Sequence, residues 1–351
     1  MVARVLLITP QFYGIEKKIK SVLEESDYEV IWIENKKLTL DYHGTKSKLK
    51  FLRKIYFILF SPKVRYVRKE LKKIENTKFD ILFSINTYIM CRFLFRELKK
   101  NNPELFSVLY LWDSFSMYKS TRDFKQFNKV ISFDPEDSIK HQIEYKPNFH
   151  IKSNFKISPD HKYDLFFVGK FSHERLSVLD WLNGKSDIAG INSFIRLWPA
   201  YKIFLHNSLV YKFLRKLKLK STWINNYILN YEAIEGIIKR EYLLTKSLNF
   251  EEVQSILLSS NVILDLPFNG QTGYTHRLIG ALANGKKVIT TNSNIRKEKF
   301  YNPEQVHILN AQYPEIDYKW IKERYEFKVD IFFLNLELSV WLKSVLNVGI
   351  A

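Results

Sequence analysis

The strongest constraint on the fold is a pattern that occurs twice: a short unbroken apolar run that stops near glycine, followed by helical spacing. The first copy opens the chain. Val5–Thr9 is a short run, apolar from Val5 to Ile8, that ends at Pro10 and Gly14, as a strand buried on both faces would. Ile15, Ile19, Val22 and Leu23 then recur at helical spacing over Ile15–Glu25, and Tyr28–Ile33 returns to an apolar run. This is a βαβ unit, the opening of a doubly wound domain. The second copy is Tyr163–Val168, whose unbroken apolar part, Leu165–Val168, is closed by Gly169. A chain that begins such a unit twice, at a length of 351 residues, is an α/β protein of two domains.

Further strands are predicted at Asp80–Ile85, Ser107–Trp112 and Lys129–Phe133, making five or six in the first domain. In the second, a long helical stretch precedes strands at Val262–Leu266 and Lys287–Thr291. A helix from about Thr275 to Ala283 lies between these strands and stops at Asn284-Gly285. Lys146–Lys162 has two prolines and no clear periodicity, which reads as a linker. The expected domains are therefore 1–155 and 163–330, with a helical tail at 331–351 packing across both.

Composition narrows the function classes. With 46% hydrophobic and 26% charged residues the chain is not disordered. No segment reaches the roughly 18–20 apolar residues that span a bilayer. The N-terminus lacks a signal-peptide cleavage pattern. The single cysteine, Cys91, reads as a small core residue in a reducing compartment, so a cytoplasmic location is expected. Neither an H-E-x-x-H pairing nor a D-x-D triplet occurs, so neither a metal site nor a cofactor is expected.

Chemistry concentrates in residues 265–292, DLPFNGQTGYTHRLIGALANGKKVITTN. This is a strand end, a loop with Gly270 and Gly273, a helix start and another strand. Ligands of open α/β sheets bind beyond the carboxyl ends of the strands, and helix N-termini hold phosphate. Thr272, Thr275 and Arg277 add hydroxyl and guanidinium donors. The same residues also suit a plain βαβ connection, with Gly and Thr serving turn and cap. Asp113 follows an apolar strand and is a candidate base or acceptor-binding group; the alternative is a cap. Asp134, Glu136 and Asp137 read as ordinary helix-start residues after a strand. His173 and Arg175 follow Gly169, where they either contact donor phosphates or form a solvated pair.

The pattern Q-T-G-x-T-x-R-x-I-x-A-L-x-x-G-K-K at 271–287, with F-Y-N-P at Phe300–Pro303, resembles bacterial glycosyltransferases of lipopolysaccharide and capsule assembly, of GT-B type. LLITPQFYGIEKKI near the start, LYLWDS at Leu109–Ser114, FDPED at Phe133–Asp137 and FFVGKFSHER at Phe166–Arg175 extend the resemblance over nearly the whole chain. It implies two Rossmann-like domains with parallel sheets facing across a cleft. It further implies a metal-independent, hexosyltransferase-like enzyme using a nucleotide-sugar donor and a lipid-linked or growing glycan acceptor. Gly169, His173, Arg175, Asp265, Gln271, Thr272, Gly273, Thr275 and Arg277 would bind the donor, and Asp113 would face the acceptor. Gly280 is a departure: relatives carry Glu there, which often holds the donor's ribose hydroxyls. A nucleotide-sugar epimerase of the same fold and a non-catalytic membrane-bound scaffold are the rival readings.

A net charge of +18 asks for an anionic partner. Residues 46–73 hold 11 Lys or Arg and one acid, Glu70, with aromatic and aliphatic residues interleaved; residues 201–220 hold no acid. Such basic amphipathic stretches suit an anionic membrane surface, each cation contributing about 1 kcal/mol near the leaflet. The expected place is thus the inner face of the cytoplasmic membrane. Solvated helices with buried apolar faces are the alternative. Nothing in the motifs supports nucleic acid.

Overall fold

The computed structural model of the chain describes residues 2–35, 62–86, 92–117, 124–152, 161–198, 208–217, 222–244, 246, 248–310, 315–325 and 327–346. Cys91, the linker's residues 153–160 and residues 46–61, 201–207 and 218–220 of the basic stretches lie outside them. Two compact units result: 1–152 with 268–280 and 330–351, and 153–267 with 281–329.

The first unit is built on β1 (Arg4–Thr9), α1 (Ile15–Glu25), β2 (Glu29–Glu34), α2 (Pro62–Ile74), β3 (Ile81–Ile85), α3 (Arg92–Asn101), β4 (Phe106–Leu111), β5 (Lys129–Ser132), α4 (Pro135–His141) and β6 (Glu144–Tyr145). The six strands are all parallel, in the order β2-β1-β3-β4-β5-β6. The order reverses between β1 and β3, which opens a crevice at their carboxyl ends. Val5 to Ile8 are completely buried, which explains their unbroken apolar run. On one face Leu6, Ile8, Leu82, Leu109 and Leu111 pack with Ile74 of α2 and with Phe95 and Leu98 of α3. Helix α1 starts at Gly14, whose φ of 85° lies in the left-handed region. Ile15, Ile19 and Leu23 form its buried stripe.

The second unit holds β7 (Tyr163–Lys170), α5 (His173–Ala189), β8 (Ser193–Trp198), α6 (Ser208–Leu217), α7 (Thr222–Lys239), α8 (Phe250–Leu258) and β9 (Ser260–Asp265). The chain then runs through α9 (His276–Leu282) to β10 (Lys287–Thr290), β11 (Val306–Ile308) and α10 (Tyr318–Lys322). Its five strands are parallel in the order β11-β10-β9-β7-β8, with the reversal between β7 and β9. Leu165, Phe167, Ile195, Leu197, Val262 and Leu264 form the core with Leu179 and Leu182 of α5 and Ile237 of α7.

The strands expected from apolar runs are present to within a residue or two. Three others were missed: β6, β8 and β11. β8 lies in the stretch read as helical; its Ile195 and Leu197 are buried while Arg196 lies over the Phe194 ring, 4.7 Å from its centroid. The tail is corrected as well. It forms two helices, α11 (Ile331–Leu334) and α12 (Leu338–Leu346), rather than one. Between them His150 donates its N–H to Leu336 O and accepts from Leu338 N, both at 2.9 Å, so the chain is drawn into a strand-like bridge. Trp341 of α12 is fully buried and donates from Nε1 to Pro147 O at 3.0 Å. Among the described residues no helix is long and apolar enough to cross a membrane.

Candidate functional site

At the carboxyl edge of the first sheet, Asn86 follows β3 with a φ of 52°. Asn tolerates that left-handed conformation better than most residues. It donates its N–H to Tyr110 O (2.9 Å), accepts from Trp112 N on Oδ1 (3.0 Å) and donates from Nδ2 to Asp113 Oδ2 (2.7 Å). One side chain thus sets both the turn after β4 and the orientation of the half-buried Asp113 carboxylate. The Trp112 ring lies 5.6 Å from Phe12 and edge-on to His276 at 5.4 Å. Phe12 is 39% exposed, and its N–H donates to Glu16 Oε2 at 3.0 Å. Glu16 Oε1 is buried with no hydrogen-bond partner.

Next along the edge lies Asp134, 1% exposed. It caps α4, accepting from Glu136 N (3.1 Å) and Asp137 N (3.4 Å), with Pro135 in the first helical turn. The helix-start reading of these residues therefore describes the local geometry, and Asp134 does more. It also accepts from Ser114 Oγ, from Thr272 N (2.9 Å) and from Thr272 Oγ1. Asp137 accepts from Phe115 N at 2.6 Å, and burial holds its carboxyl above the usual range against the opposing pull of that bond.

These contacts explain why residues 268–280, expected with the second domain, group with the first unit. Thr272 is tied to Asp134. A side chain on Gly273 would meet Phe133 O at 2.5 Å, so only glycine fits. Tyr274 O accepts from Asn148 Nδ2 at 2.9 Å, and Asn148 Oδ1 accepts from the Tyr110 hydroxyl at 2.8 Å. Gln271 folds onto its own loop, its Oε1 accepting from Phe268 N at 3.2 Å. Thr275 caps the two-turn α9, its Oγ1 accepting from Leu278 N at 3.2 Å. Arg277 follows, half-buried. His276 donates from Nδ1 to Phe149 O (3.0 Å), since a carbonyl can only accept, which leaves the lone pair on a buried, unpartnered Nε2. Burial pushes its pKa down to about 4, so the ring is neutral near pH 7.

In the second unit the predicted residues gather at the crevice between β7 and β9. Arg175 is buried and donates from Nε to Leu266 O and from Nη1 to Lys170 O, both at 2.8 Å. It thereby joins the carboxyl ends of the two strands at which the order reverses. Gly169 is buried in β7, and His173 is exposed at the start of α5, edge-on to Phe171 at 5.1 Å. Asp265 is buried and accepts from Thr290 Oγ1 at 3.1 Å, linking β9 to β10.

The glycine and lysines of the G-K-K element serve packing. Gly285 has a φ of 64°, and a Cβ there would meet Phe327 O at 2.7 Å. Lys286 Nζ donates to Leu258 O (2.6 Å) at the end of α8, and Lys287 Nζ to Trp320 O (2.6 Å) near the end of α10. Both lysines are buried and bond the last carbonyls of helices. Of the residues named from sequence, Asp113, Gln271, Thr272, Gly273, Thr275 and Arg277 belong to the first unit. Gly169, His173, Arg175 and Asp265 belong to the second. Asn86, Glu16 and His276 were missed. A lone Asn after a strand and a His at a helix start carry no signal without the fold.

No family model matches the chain, and no curated protein matches it. Solved structures do. A UDP-forming α,α-trehalose-phosphate synthase from Burkholderia xenovorans, in complex with glucose-6-phosphate, aligns over 97% of this chain and 98% of its own, with a TM-score of 0.54 and 9% identity. The UDP-GlcNAc 2-epimerase of Methanocaldococcus jannaschii, in complex with UDP-GlcNAc and UDP, aligns over 99% and 100%, with a TM-score of 0.50 and 8% identity. At such identities the likeness defines the fold alone. The two parallel α/β sheets, of six and five strands, belong to the GT-B fold.

Proposed function

We propose that the chain is a metal-independent glycosyltransferase. It moves a sugar from a nucleotide-sugar donor to a lipid-linked or growing glycan acceptor in bacterial cell-surface polysaccharide synthesis, at the inner face of the cytoplasmic membrane. The observation that carries this reading is the clasp of Asn86 on Asp113 at the carboxyl edge of the first sheet of a GT-B fold. Asn86 orients this half-buried carboxylate at the sheet edge, and a carboxylate fixed in that way suits the role of general base toward a hydroxyl. Asp113 takes the proton of the acceptor hydroxyl as that oxygen bonds the anomeric carbon. The bond from sugar to phosphate breaks, and the nucleoside diphosphate leaves.

Arg277 is the donor-side cation of the 271–277 loop and binds the diphosphate. Thr272 and Gly273 hold that loop to Asp134 and Phe133, and Gln271 and Thr275 shape its two ends. In the second unit Arg175 and Asp265 fix the strand ends, while Gly169 and His173 line the same edge on the donor side. The test is nucleotide release with a lipid-linked glycan in wild type and in Asp113→Asn. Loss of turnover with unchanged nucleotide binding supports the role of Asp113; wild-type turnover in the variant removes it.

One observation favours a second reading, a nucleotide-sugar epimerase. The Methanocaldococcus jannaschii UDP-GlcNAc 2-epimerase aligns over 99% of this chain with a TM-score of 0.50. An epimerase converts its substrate without an acceptor, so sugar conversion in the absence of any glycan would select it.

A further inference from the structure

Helix α6 carries an outward face with three large apolar side chains. Leu209 is 75% exposed, Phe213 61% and Val210 41%. Large apolar side chains this exposed, adjacent on one short helix, are unusual in a surface that meets only water. The helix is anchored on its other side. Leu214 is buried, the Tyr211 ring stacks on Tyr231 of α7 at 4.1 Å, and the Tyr211 hydroxyl donates to Glu232 at 2.7 Å.

At about 100° per residue, Leu209 and Phe213 form one ridge and Lys212 and Lys216 the ridge beside it. Both ridges point away from Leu214. The helix has no acidic residue, and among the described residues Lys212 and Lys216 make no ion pair. Arg215 is different: its Nη1 donates to the Tyr211 hydroxyl at 2.7 Å and lies 3.8 Å from Glu232. Two lysines thus stand beside a leucine and a phenylalanine on the same outward surface. Apolar side chains that enter the acyl boundary, flanked by lysines that reach headgroup phosphates, are the arrangement of a helix lying in an anionic bilayer interface.

We infer that α6 is a membrane-contact helix, inserting Leu209 and Phe213 among lipids while Lys212 and Lys216 pair with anionic headgroups. The occupant is an anionic lipid surface rather than a second copy of the chain, because the cations beside the apolar ridge would face their own like in a two-fold pairing. This rests on the membrane side of the proposed function and not on the transfer chemistry, so the two fail separately.

The experiment is co-sedimentation of the full chain with vesicles of phosphatidylcholine plus phosphatidylglycerol, compared with phosphatidylcholine alone. Two double variants are used, Lys212→Gln with Lys216→Gln and Leu209→Ser with Phe213→Ser. All four side chains point outward, and an unchanged unfolding midpoint verifies the fold. Each lysine contributes about fivefold near an anionic surface, so the lysine variant should bind anionic vesicles about 25-fold more weakly, with a shallower salt dependence. The apolar variant should lose at least about tenfold, with the salt dependence kept. Anionic-vesicle binding unchanged in both variants, or absent from the wild type, would overturn the inference. So would a dimer, seen by sedimentation velocity, that the apolar variant dissolves while vesicle binding persists.

Discussion

The bond pair between Thr272 and Asp134 can be weighed directly. Thr272 donates its N–H at 2.9 Å and its hydroxyl to the same buried carboxylate, which also accepts from Ser114 and from two amides of α4. A hydrogen bond to a charged group is worth about 1.5–3 kcal/mol. Thr272→Val keeps the shape and the N–H bond and loses the hydroxyl bond, so it should weaken local closure of the loop by about 2 kcal/mol. Hydrogen exchange of a peptide covering residues 268–276 would then run roughly thirtyfold faster. Asp134→Asn weakens the same contact from the other side. The double variant should therefore fall short of the sum of the singles by about 1.5 kcal/mol. Additivity within about 0.5 kcal/mol would show that the Thr272 hydroxyl and the Asp134 carboxylate are not coupled. So would a Thr272→Val chain with unchanged exchange but weaker nucleotide binding, since the hydroxyl would then serve the ligand instead of the loop.

Three further outcomes follow from the same geometry. His276 titrates near 4 when folded and near 6.5 when unfolded, so the unfolded chain binds the extra proton between these values. Its contribution is complete above pH 6.5 and declines as pH falls toward 4, by up to about 3 kcal/mol; His276→Phe should flatten that part of a stability–pH curve, and an unchanged slope would contradict the burial. Gly273→Ala places a Cβ 2.5 Å from Phe133 O and should cost more than about 2 kcal/mol, read as a lowered denaturation midpoint. Gly280→Ala meets nothing within 4 Å on mid-helix backbone, so it should raise stability by about 0.5–1 kcal/mol, and a lowered midpoint would show that the site needs glycine.

The sheets were legible because parallel strands buried on both faces read as unbroken apolar runs, and Val5–Ile8 and Leu165–Val168 have that form. β8 was not, because Arg196 interrupts its run and is accommodated by the Phe194 ring, a pairing that sequence does not display. The tail was read as one helix because its apolar spacing fits one; the break comes from His150, far away in the chain. At the site, Asp113 could be picked out as an acid following a strand. The partner that fixes it, Asn86, lies 27 positions earlier, and Thr272 lies 138 positions from Asp134. Gly273 illustrates the limit of motif reading. The motif places Gly273 with the donor-binding residues, and its missing Cβ also makes room for Phe133. Local pattern specifies elements, and contacts between distant residues decide what a motif residue does.

In the proposed reaction a carboxylate held by Asn86 deprotonates an acceptor hydroxyl while a nucleotide-sugar is consumed. The direct measurement is nucleoside diphosphate release by the full chain, given a panel of nucleotide-sugars with and without a lipid-linked glycan. The expected result is release that depends on the glycan, falls at least a hundredfold in Asp113→Asn, and leaves nucleotide binding in that variant intact. Sugar conversion without any glycan, or a chain that no nucleotide stabilises and no glycan activates, would contradict it.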